Sequence, residues 1–131
     1  MAYGPIGNTN GLTYFSLITQ SSGISLTQIT NTPTQLCFFS LGNINAAARY
    51  LKVIDSPATV QSSAGFTASM AFIIPGNAAG AGSNGHIAAG PPTLGCLQLN
   101  AGLSIAITAN AALTDLSGAN VGDVNIVLGY R

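Results

Sequence analysis

Charge is the scarcest ingredient of this sequence: three Lys+Arg, three Asp+Glu and one His stand among 131 residues, so 5% of the chain is charged. A soluble domain usually carries about 25%. Spread over the roughly 6,400 Å² that a compact monomer of this mass exposes, six charges leave about 1,000 Å² each. With a net charge of zero there is no electrostatic footprint for nucleic acid or an anionic membrane, and neither is expected as a partner. The same scarcity leaves little material for acid–base catalysis. Trp is absent and aromatics make up 7%, which argues against the aromatic girdles of an outer-membrane barrel. No apolar run approaches the ~20 residues of a membrane-spanning helix. The start, Met-Ala-Tyr-Gly-Pro-Ile-Gly-Asn, lacks the basic and apolar regions of a secretory signal, so synthesis without export is expected. Cysteine is limited to Cys37 and Cys96. In a reducing compartment the two read most simply as buried apolar side chains, although their spacing leaves a disulfide open.

What is present is alternation. Large apolar residues fall on one parity in Leu103–Thr108 and again in Val124–Tyr130, the pattern of strands with one face on a core. Ala68–Ile74 shows the same, with a second face that is also apolar, which predicts burial on both sides. Leu12–Thr19, Ile24–Thr30, Leu36–Leu41, Tyr50–Ile54 and, more weakly, Cys96–Leu99 add strands, and Asn-Gly, Ser-Gly and Ser-Pro pairs punctuate them. A turn around Asn45–Ala48 is the only helix candidate. The expected fold is a single antiparallel β-sandwich, jelly-roll-like, over 12–131. Residues 1–11 read as an N-terminal arm, and the Gly-rich run 76–93 as one long loop of the kind that makes contacts.

Few residues offer chemistry. Gly80-Ala81-Gly82-Ser83-Asn84-Gly85 spells G-x-G-x-x-G, but Pro75 and Gly76 before it and Pro91-Pro92 after it deny it the strand and helix of a dinucleotide site. No cofactor is expected. His86 has too few ligand partners for a metal site, and no G-x-S-x-G surrounds any serine. Asp115 and Asp123 are the sole carboxylate pair a glycan hydrolase would have; turn-forming roles suit them better. Arg49 and Lys52 form the only local concentration of charge. They point to opposite faces of an extended run and read either as a solvated strand edge or as anchors to an acidic patch on a partner.

Ala47–Val53, Ala101–Thr108 and the ending Gly122–Arg131 together resemble a family of small tailed-bacteriophage virion proteins, from about residue 43 to the end. The resemblance implies a capsid decoration, or cement, protein: a β-rich homotrimer on the exterior of a phage head, with the major capsid protein as partner and no enzymatic activity. The contact candidates on that reading are Tyr3, Pro5, Ile6, Arg49, Lys52, His86 and Arg131. The alternative is a tail, baseplate or fibre-associated β module.

Overall fold

The computed structural model describes residues 11–19, 23–56, 65–77, 85–89 and 95–131. Nine strands are present among them: β1 (Thr13–Ile18), β2 (Thr27–Gln28), β3 (Thr34–Asn43), β4 (Arg49–Asp55), β5 (Met70–Ile74), β6 (His86–Ala89), β7 (Leu97–Leu99), β8 (Leu103–Thr108) and β9 (Val124–Tyr130). They form two antiparallel sheets, the layers of a β-sandwich. One sheet runs β1-β9-β3-β6 with β7 also pairing β3; the other runs β2-β8-β4-β5. The helix candidate at Asn45–Ala48 is a bend. Asn43 and Asn45 make it so, because each side-chain oxygen accepts an amide two residues on, Asn45 N at 2.8 Å and Ala47 N at 2.9 Å. Such local bonds compete with helical ones.

The alternation seen in the sequence fills the space between the sheets. Phe15 and Leu17 of β1, Phe39 and Leu41 of β3, Leu51 and Val53 of β4, Leu103, Ile105 and Ile107 of β8, and Ile126 and Leu128 of β9 share one buried cluster. The outward side chains of the second sheet meet a smaller apolar layer, in which Ala106 and Ile54 pack with Ile24, Ala68, Leu26 and Phe66. Every residue of β8 is therefore buried. Two-sided burial was expected of β5 as well, but Ile73 is 52% exposed. β5 is the last strand of its sheet, beyond the covering layer.

Two further expectations are corrected. The run 76–93 is not one loop, since His86–Ala89 pairs with Gly42–Phe39 as β6. The cysteines are not free apolar side chains: Cys37 and Cys96 are joined in a disulfide. Leu36 lies opposite Tyr130 and Phe38 opposite Gly129, so Cys37 is the extra residue of a β-bulge. That insertion turns both Leu36 and Cys37 inward and aims the Cys37 sulfur at the segment before β7.

Candidate functional site

Nearly every charge is engaged inside the fold. Arg49 opens β4 in one sheet, and its Nη2 donates to Asp123 Oδ2 at 3.1 Å, just before β9 in the other. The same oxygen accepts from Asn45 Nδ2 and from the Asn120 amide, each at 3.1 Å. The pair is about nine-tenths buried and closes one end of the sandwich. Lys52, fully buried on the outward face of β4, donates to the main-chain oxygens of Asn110 and Ala112 and so fastens the 109–117 loop over the sheet. Burial pushes its pKa below the ordinary 10.5, with Asp115 pulling the other way. The two residues do point to opposite faces, but neither is a solvated edge. β4 lies between β8 and β5, so both its edges are paired, and both side chains are buried.

The remaining carboxylates hold main chain. Asp55 accepts the amides of Asn100, Ala101 and Gly102 at 3.0, 2.8 and 3.2 Å. Gly102 is required at that turn, because a Cβ there would stand 2.5 Å from Ser56 O and 2.7 Å from Thr30 O. Asp115 accepts from the Asn110 amide at 2.9 Å and the Ser117 hydroxyl at 2.7 Å. Burial alone would raise both carboxyls, but these hydrogen bonds outweigh it and hold them below the ordinary 3.8. A carboxylate with a depressed folded pKa stabilises above its unfolded value, and that stability is lost as pH falls through the folded one. Asp55→Asn is therefore expected to lower stability by about 1–2 kcal/mol at pH 7, with the gap from the parent closing below pH ~4. Urea titrations between pH 7 and pH 2 check this; a pH-independent gap would refute it.

Asp115 and Asp123 belong to these two separate networks, and no contact joins them. Among the described residues no three His, Cys, Asp or Glu side chains gather where a metal ion could bind. Arg131 is exposed, its Nε donating to Gln35 Oε1 at 2.9 Å. His86 is placed on β6 opposite Gly42. Tyr3, Pro5 and Ile6, all of the arm 1–11 but Gly11, and residues 80–84 of the glycine motif lie outside the described residues.

The structure also assembles a surface that no single segment announces. On the outward side of the sheet containing β9, the strand registers bring residues into three rows. Tyr14, Gly129 and Phe38 form the first. Ser16, Val127, Ser40 and Ala88 form the second, and Ile18, Asn125 and Gly42 the third. Glycine at 129 lets the Tyr14 and Phe38 rings meet edge to face, 6.1 Å between centroids. No Lys, Arg, Asp or Glu lies in the rows. At their lower corner Ile18, Ile44 and Val121 are 47%, 72% and 65% exposed, beside a cup of about 290 Å³ lined by Asn43, Asn77, Asp123 and Asn125. At the opposite end, a groove of about 270 Å³ opens between the sheets among Leu36, Phe39, Met70, Phe72, Leu97 and the disulfide.

Comparison with protein-family models, with curated proteins and with solved structures found no match to this chain.

Proposed function

We propose that this chain is a virion structural protein, a capsid decoration protein that binds the major capsid protein on the exterior of a phage head as a homotrimer and reinforces the shell. The observation that carries the reading is the uncharged face. Charges that would keep a free surface apart from its neighbours are tied up within the fold, and the three rows offer a surface free of Lys, Arg, Asp and Glu. Such a face docks without desolvating an ion. At ~4.8 Å between strands and ~3.4 Å per residue it covers on the order of 400 Å² in plan, less than the ~800 Å² per partner of a stable standard interface. One contact is therefore weak, and three in a rigid trimer gain by avidity. The strand orders β1-β9-β3-β6 and β2-β8-β4-β5, with β7 as an addition, support a jelly-roll wrapping, a fold used by viral capsid and lectin domains. Fold is analogy here; the neutral face is the physical argument.

The test mixes purified protein with heads lacking it and measures co-sedimentation, with mass by light scattering. Saturable binding of a trimer that changes little between 50 and 500 mM salt is expected, because no ion pairs form across the face. Val127→Lys, at the centre of the middle row, is expected to weaken binding at least ~100-fold while leaving the circular dichroism unchanged. Binding to tails in place of heads, a dilute monomer, or full binding by Val127→Lys would overturn the proposal.

A further inference from the structure

We propose that Cys37–Cys96 is a reversible thiol–disulfide switch, entered at Cys96, that fastens the start of β7 and thereby sets the width of the apolar groove between the sheets. The two cysteines differ in access. Cys37 is 4% exposed, held inward by the β-bulge, whereas Cys96 is half-buried. Cys96 follows Gly95, whose φ is +66° and around which a Cβ would meet nothing within 4 Å. An attacking thiolate therefore reaches Cys96 Sγ from the open side, and the buried Cys37 sulfur is the leaving group.

The described segment 95–99 is held unevenly along its length. Its C-terminal side is pinned by Leu99, 2% exposed in the core, and by the three amides that Asp55 accepts just beyond. Its N-terminal side has three residue pairs with β3, namely Thr34 with Leu99, Gln35 with Gln98 and Leu36 with Leu97, and the exposed Gln98 adds a 3.2 Å side-chain bond from Gln35. Among the described residues these pairs, the Gln35–Gln98 bond, the partly buried Leu97 and the disulfide hold 95–98 down, and the disulfide is the one covalent tie. Cys37, Cys96 and Leu97 wall the groove beside Phe39, Met70 and Phe72, and the Phe39 and Phe72 rings meet there at a 42° tilt, 4.8 Å between centroids. Releasing 95–98 removes part of that wall and exposes aromatic surface.

The exchange balances with an external dithiol as reductant. One thiolate of the dithiol bonds to Cys96 Sγ, and the S–S bond breaks with its electron pair on Cys37 Sγ, which takes up a proton. The second thiol of the reductant then attacks the mixed disulfide, closing the reductant's own disulfide and releasing Cys96 as a thiol. Two electrons and two protons pass to the protein, and an oxidised dithiol reverses the sequence.

The experiment compares amide NMR spectra of the whole protein before and after dithiothreitol, with and without reoxidation. The expected result is a folded reduced protein at 25 °C whose shifts are confined to residues near 34–40, 70–72 and 95–99. Iodoacetamide should modify Cys96 at least ~10-fold faster than Cys37, and an apolar dye should bind more strongly to the reduced form. Cys37→Ser/Cys96→Ser should give the reduced spectrum and ignore the reductant. Global loss of dispersion would make the disulfide a plain staple, and shifts limited to the two cysteines would leave the groove unswitched. Either result, or equal alkylation of both thiols, overturns the proposal.

Discussion

Asp123→Ala is expected to destabilise the protein by about 3–5 kcal/mol, the range for breaking a buried ion pair by removing one partner. The loss exceeds that of a surface pair because three donors converge on one oxygen: Arg49 Nη2, Asn45 Nδ2 and the Asn120 amide. Removing the carboxylate leaves the Arg49 guanidinium inside with its Nη1 bond to Ala48 O at 3.2 Å and with Nε, which already lacks a partner. Arg49→Ala removes one donor and leaves Asp123 with two, so its effect is smaller. Asp123→Asn keeps an acceptor but no charge and falls between. Combining Asp123→Ala with Arg49→Met is expected to recover part of the loss, because the unpaired charge is what makes the single substitution so severe. Urea unfolding of the four variants gives the order directly. A loss under ~1 kcal/mol for Asp123→Ala would show that this end of the sandwich is solvated well enough to do without the pair.

Cys37→Ser/Cys96→Ser is expected to lower stability by about 4 kcal/mol, the loop-closure value for a 59-residue separation. For a chain of this length that corresponds to a fall in Tm of roughly 12–20 °C. The effect acts mainly on the unfolded chain, so the variant remains folded at 25 °C and unfolds in one transition with a larger m-value, since its unfolded state is less compact. Thermal and urea unfolding of the variant beside the oxidised parent measure both quantities. An unchanged Tm would mean that the crosslink strains the native state as much as it restricts the unfolded one.

The strands that were legible in the sequence are those whose large apolar residues alternate regularly, whether the other face is partly exposed, as in β9, or covered, as in β8. Leu103–Thr108 and Val124–Tyr130 declare themselves by parity, and parity survives because no bulge interrupts them. β6 was hidden in the Gly-rich run because Ile87 is its one large apolar residue and main-chain bonds to β3, which carry no sequence signature, define it. Arg49 and Lys52 were misread for a related reason. A local cluster of charge reads as exterior when its partners are out of sight: Asp123 lies 74 residues on, and Lys52 is met by two carbonyl oxygens 58 and 60 residues on. An apolar surround for the Lys52 stem, Tyr50 to Val53, was the available signal. The disulfide was left open because the bulge at Cys37 shifts the inward parity by one, an event visible only in the pairing with β9. The candidate face was illegible in principle, since Ser16, Ser40, Ala88 and Val127 become a row only once the order of four strands is known.

The enclosure of Arg49 and Lys52 reaches beyond stability into how this protein can be detected. They are the only basic residues before the terminal Arg131, so a protease that cuts after lysine or arginine has two internal targets, both inside a paired strand. The folded chain resists such digestion. Unfolded and cut, it yields the short piece 50–52, and the 79 residues 53–131 hold no internal site, too long for routine peptide sequencing. Amine-reactive dyes meet a similar silence at the side chains, since the single lysine of the sequence is shielded. Methods that depend on lysine and arginine therefore register this chain faintly, and a protease that cuts beside aromatic or aliphatic residues is the reagent that reveals it.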